Sequence, residues 1–489
     1  MITTGIGAGA HERLAQHLER PLGRGHVPPD SCTGAAGGAA CGDLIRISLA
    51  LEHASADGRI ADAGFDASGC GAVIAAGSAV VRLLRGAPLL AAARIGAGAI
   101  ARELGGLSPA KQHAAELAAD ALHRALGAAA RTQASLAMVP ARTLVAMSGG
   151  VDSAVAALLV ERDGAEAVGV TLELWADVAN DAELSCCSAQ AVRRARSLAH
   201  ERGLAHFSID LRAEFRAGVV DPWLAEHAAG ETPNPCVRCN GSVRLDAMLE
   251  LGERLGARTL ATGHYARVDD GPLLRVAADE RRDQSYVLSA LAPDSLARLR
   301  FPLGHISKPQ VRELAAQAGL AVAKRRDSQD LCFLAGTRQD AFLERHGGLS
   351  ARAGAIVDGE GARIGEHRGA HLYTVGQRRG LGLGGGQPLY VLATDAGANT
   401  VTVGPRRTLL ASRVAVRDLT LHRDARCVDG LRLRAHGRTH RCRVAGALGA
   451  GRHAQAALEL AEPAERTAPG QLACLYAADV VVGHGTVAA

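Results

Sequence analysis

The stretch Thr143-Leu-Val-Ala-Met-Ser-Gly-Gly-Val-Asp-Ser-Ala-Val-Ala-Ala-Leu-Leu-Val160 decides the fold. Thr143 to Met147 is a short apolar run of β type, broken at Ser148-Gly149-Gly150. Asp152 and Ser153 then open an Ala/Leu/Val run with helical character. Strand, glycine turn and helix start together present unpaired backbone N–H groups to an anion. The two glycines let the backbone approach closely, and the Ser148 and Ser153 hydroxyls add donors. The turn lacks the G-K-[ST] ending of a Walker A loop, so it positions no lysine for outer phosphates.

Working outward, the pattern alternates from Thr143 onward. Strands are expected at 143–147, 167–172, 205–211 and 258–264, with helices at 188–202 and 242–255. Such βα repeats predict an α/β, doubly wound parallel sheet with helices on both faces. Ligands of such sheets sit at the carboxyl ends of strands, where the Ser148–Ser153 turn and Gly263-His264-Tyr265 both fall. The S-G-G-V-D-S turn resembles the PP-loop of ATP pyrophosphatases, which release pyrophosphate as they adenylate a substrate oxygen.

With 489 residues the chain is too long for one core, and 48% hydrophobic against 21% charged residues is ordinary globular material. No uncharged apolar run reaches the ~18 residues of a membrane span, and no signal-peptide pattern opens the chain. No membrane partner and a cytoplasmic location are expected. In that setting eleven cysteines argue for thiol or metal chemistry over a disulfide framework. Net charge is only +5, and lysine occurs only at 111, 308 and 324. Arginine suits phosphate contact, although compositional bias accounts for most of it here.

Residues 1–135 differ from the rest, with Phe65 their sole aromatic. Runs at 44–53 and 59–67 flank Asp57-Gly58, a hairpin signal, and helical material follows at 72–84, 89–104 and 109–126. A small α+β domain is expected, with Gly127 as helix stop and a linker from there to Ala141. Cys41 and Asp43 precede the first strand, and Cys70 sits between glycines at the hairpin exit, a soft-metal corner. C-G-D at 41–43, G-C-G at 69–71, E-L-G-G-L-S-P-A-K at 103–111 and His113 resemble the NifU/IscU family of iron–sulfur cluster scaffolds. The resemblance implies Cys41, Asp43, Cys70 and His113 as iron–sulfur ligands. The family's third cysteine position, after the histidine, holds Ala114. Cys32 is a candidate substitute.

Two further stretches carry cysteines. Thr232-Pro-Asn-Pro-Cys-Val-Arg-Cys-Asn240 contains two prolines that argue against helix, so Cys236 and Cys239 are expected on a loop turn. Lys324-Arg-Arg-Asp-Ser-Gln-Asp-Leu-Cys-Phe333 sets Cys332 after fixed positive charge, which favours a thiolate. Alone, C-x-x-C fits half a zinc site as well as a sulfur relay.

Together with the loop, these stretches resemble the tRNA-specific 2-thiouridylase family, from Thr143 to the C-terminus. G-H-Y-A-R at 263–267, R-D-Q-S-Y at 282–286, K-P-Q-V-R at 308–312, Y-T-V-G-Q-R-R-G-L at 373–381, A-P-G-Q at 468–471 and V-G-H-G-T-V at 482–487 also match. The resemblance implies ATP on Ala146, Met147, Ser148, Gly149, Gly150, Val151, Asp152 and Ser153, beside Leu172 and Gly263, with Mg2+ on the departing pyrophosphate. Adenylation of the wobble uridine (U34) of tRNA would be followed by sulfur transfer from a persulfide on Cys332. Cys239 then releases the sulfur and closes a disulfide with Cys332. A cysteine desulfurase or sulfur-relay proteins load the sulfur. Asn234, Pro235 and Cys236, with Arg282, Asp283 and Gln284, would hold the flipped-out base, and His264 would be a further tRNA contact. Cys236 stands where some family members carry aspartate. A [4Fe–4S] cluster on Cys236, Cys239 and Cys332 is therefore the alternative sulfur carrier.

Residues 346–405 predict a small β domain and 406–489 a compact β-barrel. By resemblance both grip tRNA, with Arg434, Arg438 and Gln471 as contacts. The family's Arg-Tyr pair is Arg434-Ala435 here. The expected domains are thus 1–135, 141–345, 346–405 and 406–489. Cys186, Cys187, Cys427, Cys442 and Cys474 are expected as buried filler. Two other classes fit the sequence less well. An amide-forming PP-loop ligase leaves Cys236, Cys239 and Cys332 without roles. An iron–sulfur assembly factor with an RNA-binding C-terminal part is opposed by Ala114.

Overall fold

The computed structural model describes residues 8–37, 42–53, 55–177, 188–268, 271–327, 331–384 and 387–489. Cys41, Cys186 and Cys187 lie outside the described residues. The first unit comprises α1 (Ala8–Glu19), an antiparallel sheet of β1 (Cys32–Gly37), β2 (Leu44–Leu51) and β3 (Ile60–Ser68), then α2 (Gly71–Leu84), α3 (Leu89–Ala92), α4 (Ala97–Glu103) and α5 (Gln112–Thr132). Strand β1 carries Gly34, Ala35 and Ala36, small residues without a strand signature, which is why only the hairpin was legible. At Gly34 a Cβ would stand 2.2 Å from the Ala121 carbonyl oxygen, so β1 needs small residues to lie against α5.

The second unit is a five-stranded sheet in the order β10-β7-β4-β5-β6, all parallel. Its elements are β4 (Val139–Ala146), α6 (Val151–Arg162), β5 (Glu166–Glu173), α7 (Ala189–Glu201), β6 (Ala205–Asp210), α8 (Arg212–Phe215), α9 (Asp221–Ala228), α10 (Pro235–Arg238), α11 (Leu245–Arg254) and β7 (Ala257–Ala261). There follow the short β8 (Arg267–Val268) and β9 (Leu274–Arg275), α12 (Ser285–Leu288), α13 (Pro293–Arg298), β10 (Leu299–Arg300), α14 (Lys308–Gln317) and α15 (Gln339–Gly347). Leu144 and Ala146 enter one apolar cluster while Val145 and Met147 enter another, the two-residue alternation of a strand buried on both faces. Strand order reverses between β4 and β7, and the crevice opens there.

Next comes a four-stranded sheet, β12-β11-β14-β13, built from β11 (Gly354–Val357), β12 (Arg363–His367), β13 (Leu389–Asp395) and β14 (Thr400–Pro405). The last unit is a barrel of β15 (Leu410–Leu421), β16 (Gly430–Arg432), β17 (His440–Val444), β18 (Gly451–Glu465), β19 (Leu472–Ala477) and β20 (Val480–Val487). Pairing of β15 with both β18 and β20 closes it, which removes its edges. Strands β9 and β8 of the second unit extend the sheet from β20.

Three expectations need correction. Gly127 does not stop α5, which continues to Thr132, and β4 begins at Val139, so only residues 133–138 connect the first two units. A Cβ at Gly127 would stand 2.0 Å from the Ser208 carbonyl oxygen. The residue is glycine because α5 packs onto β6, a tertiary demand that a helix-stop signal mimics. The helix expected at 89–104 is two pieces. The Ala93 carbonyl between them accepts from the His206 N–H at 3.0 Å and lies 3.0 Å from His200 Nε2. Thirdly, Pro235 starts helix α10 as its first residue, with Asn234 as cap accepting from Cys236 N–H at 3.1 Å. Proline at that position forfeits no hydrogen bond.

The first two units share one continuous apolar core. Their junction also holds charge: Asp120, 8% exposed, accepts from Arg193 at 2.6 Å and from Arg196. Helix α5 runs parallel to β6. His123 Nδ1 lies 3.0 Å from the His206 carbonyl oxygen, Gly127 abuts Ser208, and Arg131 donates to the Asp210 carbonyl at 2.7 Å. With a rise of 1.5 Å per residue, His113 lies roughly 27 Å along α5 from Arg131. The Cys70 corner therefore faces the amino edge of the sheet and the crevice its carboxyl edge.

Candidate active site

The crevice is a cleft of 870 Å³. Ala146 through Ser153 line it together with Leu172, Gly263, His264, Arg282, Asp283, Gln284 and Cys332. The sequence motifs, up to 186 positions apart, thus meet at one switch point. Gly150 caps α6, Gly149 adopts φ +71°, and Ser153 Oγ donates to the Gly150 carbonyl at 3.1 Å while accepting from Ser148 N–H at 3.1 Å. The turn is therefore closed by its own hydroxyl, with the helix N-terminus toward the cleft. A Cβ at Gly263 would stand 2.8 Å from the backbone nitrogen of Ser153, so only glycine lets the end of β7 approach the loop.

Charge around the cleft is strongly basic. Arg194, Arg244, Arg281, Arg282, Arg325 and Arg326 line it, against Asp152, Asp283 and Asp327. Asp152 accepts from Lys308 Nζ through both oxygens at 2.7 Å and from Tyr265 OH at 2.9 Å. Lys308 Nζ also pairs with Asp327 at 2.8 Å, and Arg282 and Arg312 each reach Asp327 at 3.0 Å. Burial raises the Asp327 pKa, but the hydrogen bond and charge of Lys308 with the two guanidiniums outweigh it and hold the group below the ordinary carboxylate value. Burial, then the Asp152 carboxylate, pushes the Tyr265 phenol up, so it stays a donor. Desolvation, with Arg244 nearby, lowers His264 to about 3, leaving a neutral ring whose Nδ1 lies 2.8 Å from Thr262 Oγ1.

Asp283 and Gln284 are already engaged. Asp283 accepts from Ala277 N–H at 3.0 Å, Ser285 Oγ at 2.8 Å and Arg432 Nη1 at 2.6 Å, and Arg432 stacks 4.9 Å from the Tyr476 ring centre. This ties the cleft wall to the barrel. Gln284 Oε1 accepts from Tyr265 N–H at 2.9 Å. Because Asp283 is only 4% exposed, Asp283→Ala strands Arg432 and should lower unfolding stability by about 3 kcal/mol, read by chemical denaturation.

The remaining candidates lie off the cleft wall. Cys239, 7% exposed, follows α10 on a wide turn, Cys239–Arg244, whose last residue does reach the cleft. Asn234, Pro235 and Cys236 precede it. The Gln471 amide donates to the Thr232 carbonyl, and Thr232 N–H to Pro469 at 2.8 Å, so A-P-G-Q braces the Cys236 loop. Arg434 and Arg438 are exposed on a 690 Å³ basic groove of the barrel with Arg406, Arg407 and His440. Lys308 and Asp327 were missed as site residues, since neither lies in the loop and the sequence does not disclose their pairing.

At the opposite edge Asp43, Cys70 and His113 gather, one donor atom of each within 4.8 Å of the others. Among the described residues this is the one such group of three or more metal-donor side chains. Cys70 Sγ donates to Asp43 Oδ2 at 3.3 Å, and His113 Nε2 lies 3.0 Å from the same oxygen. The Cys70 N–H bond chiefly, against burial and with His113 helping, lowers the Asp43 pKa. Oxygen, sulfur and nitrogen donors so placed suit a transition metal. Cys32 cannot join them: its Sγ lies 3.3 Å from Thr132 Oγ1, at the far end of α5 from His113. Ala114 is fully buried. Burial raises the Cys442 and Cys474 thiols to about 12, as inert filler requires, whereas Cys427 is exposed on the turn Ala425–Cys427.

A parallel sheet with a glycine turn and a helix N-terminus at its switch point has the architecture of a doubly wound α/β nucleotide-binding domain. Four family models match in succession. They are a NifU-like N-terminal domain over 10–135, a tRNA methyl transferase HUP domain over 141–336, a tRNA methyl transferase PRC-barrel domain over 340–405 and an aminomethyltransferase β-barrel domain over 412–487. The bifunctional protein NifU/MnmA of Rubrobacter xylanophilus is 41% identical over 493 residues, covering 97% of this chain and 98% of that protein. The tRNA-specific 2-thiouridylases MnmA of Rhodopseudomonas palustris and Heliobacterium modesticaldum are 42% and 39% identical, covering 71% and 70% of this chain and 89% and 91% of theirs. The chain belongs to the bifunctional NifU/MnmA family. No described helix is long and apolar enough to cross a membrane.

Proposed function

We propose that this protein is an ATP-dependent tRNA uridine 2-sulfurtransferase acting at the wobble position, in the cytoplasm. The observation that carries the proposal is the meeting of the Ser148–Ser153 loop and Cys332 on one basic cleft. ATP lies on Ala146–Ser153, with Leu172 and Gly263 beside it. The uridine O2 attacks the α-phosphate and displaces pyrophosphate, which converts the carbonyl oxygen, otherwise a poor leaving group, into one that departs as AMP. The terminal sulfur of a Cys332 persulfide then attacks C2 and expels AMP. The Cys239 thiolate attacks Cys332 Sγ, which frees the sulfur as 2-thiouridine and leaves a Cys239–Cys332 disulfide for a thiol reductant to reopen. His264 and Arg282 face the base on the cleft wall, Asp283 and Gln284 hold that wall, and the Asn234-Pro235-Cys236 loop approaches the base from beside it. Arg434, Arg438 and Gln471 belong to the tRNA-binding face.

Magnesium accompanies ATP in this proposal and neutralises charge on pyrophosphate. Asp152 and Asp327 are both already paired with Lys308, so ATP oxygens and water supply most of its ligands. A persulfide is favoured over a cluster on Cys236, Cys239 and Cys332, since these three thiols do not form one of the described groups of three or more metal-donor side chains, whereas Asp43, Cys70 and His113 do. The sulfur comes from a cysteine desulfurase or relay protein. The NifU-like unit retains Asp43, Cys70 and His113 for iron. Its opposite orientation supports a role separate from loading Cys332 within the same chain.

The test is reconstitution with ATP, magnesium, a cysteine desulfurase, cysteine and unmodified tRNA, with 2-thiouridine, AMP and pyrophosphate measured in equal amounts. Absence of 2-thiouridine with tRNA and ATP both bound would sink the reading. In the same assay Cys70→Ser should lose metal bound at the corner yet keep thiolation within about twofold. A tenfold loss would mean that sulfur passes through Cys70.

A further inference from the structure

The loop that would hold ATP has no lysine, and the whole chain has only three. Lys111 and Lys324 are exposed. Lys308 is not: its side chain is 8% exposed, at the start of α14, more than 150 residues after the loop. Its backbone N–H is fixed by Asp279 Oδ2 at 2.9 Å. Its ammonium holds both oxygens of Asp152 at 2.7 Å and one of Asp327 at 2.8 Å, and both carboxylates line the cleft although Lys308 itself does not.

Asp152 is the awkward residue in this arrangement. It sits in the first turn of α6, where the helix dipole suits an anion and where the phosphates of ATP would arrive. An uncompensated carboxylate there would repel them, more strongly because the cleft is partly desolvated. Tyr265 supplies a hydrogen bond but no charge. Asp327 is shared with Arg282 and Arg312, so the cluster of two carboxylates and three cations carries a surplus of one positive charge.

We propose that Lys308 is a positioning residue for the nucleotide: from beneath the cleft it neutralises Asp152 and Asp327, so that the lysine-free loop accepts a polyphosphate. This rests on the ATP reading above. It assigns to a remote lysine the electrostatic part of what a loop lysine does, without contact to the phosphates.

The test is binding of α,β-methylene-ATP with magnesium to the full chain by calorimetry, with tRNA affinity measured in parallel. Lys308→Met should weaken the analogue at least about tenfold and leave tRNA affinity within about twofold. Adding Asp327→Asn to it should recover most of that loss, because the charge surplus returns and Arg282 is released; a merely structural lysine would not be rescued by a second deletion. Asp327→Asn alone, which keeps Lys308, should tighten the analogue severalfold and serves if the lysine variant does not fold. Equal binding by wild type and Lys308→Met, a double variant no better than the single, or an Asp327→Asn variant that binds no tighter would each overturn the proposal. A wild-type chain that binds no analogue would overturn the ATP reading and this one with it.

Discussion

Cys332→Ser should abolish tRNA 2-thiolation, by about a thousandfold or more, while ATP binding and pyrophosphate release with tRNA persist. The asymmetry follows from what each step needs. In the proposed reaction, adenylation draws on the loop, the helix N-terminus and the cationic cleft, none of which the oxygen-for-sulfur exchange disturbs. Sulfur transfer needs a thiolate that forms and breaks an S–S bond, which a hydroxyl cannot do. Of Cys236, Cys239 and Cys332, it is Cys332 that lines the cleft, and it shares that wall with Arg325 and Arg326. Measuring pyrophosphate and 2-thiouridine in one reaction separates the two steps. Thiolation surviving in the serine variant would move the sulfur-carrying role to Cys236 or Cys239. Loss of pyrophosphate as well would mean that Cys332 acts in nucleotide or base binding.

Gly127→Val should destabilise the protein by about 3 kcal/mol and split its thermal unfolding into two transitions. Helix propensity alone argues the other way, since replacing a mid-helix glycine by a good helix former gains up to about 1 kcal/mol. Packing decides the sign. The new Cβ would stand 2.0 Å from the Ser208 carbonyl oxygen and 3.4 Å from Ile209 Cδ1, and a backbone carbonyl cannot rotate away as a side chain does. Helix α5 must lift off β6, which breaks the Arg131–Asp210 bond and strains the Asp120 pairs with Arg193 and Arg196. Gly127→Ala should fall in the same direction by a smaller amount. Calorimetry checks both, and a stabilised alanine variant would mean that the junction is looser than its distances.

The sequence by itself determined the parts whose signals are local. The β4 run, the Ser148–Ser153 turn and the helix after it read off a strand period, two glycines and an apolar face, and the hairpin at Asp57-Gly58 read off its turn. Motif order carried the family and the identity of Cys239 and Cys332 as candidates, because those residues are written consecutively in recognisable strings. At Gly127 a local rule misled because a neighbour in space held the casting vote: it looked like a stop and is a contact surface for Ser208. At Pro235 one local rule outweighed another: it looked like a breaker and begins a helix under the Asn234 cap. Only the tertiary structure decided that α5 lies parallel to β6 and turns the Cys70 corner away from the cleft. It alone joined Lys308 to Asp152 and Asp283 to Arg432. The reason is physical: a charge pair or a close backbone approach is a property of two segments, and neither segment alone encodes its partner's position.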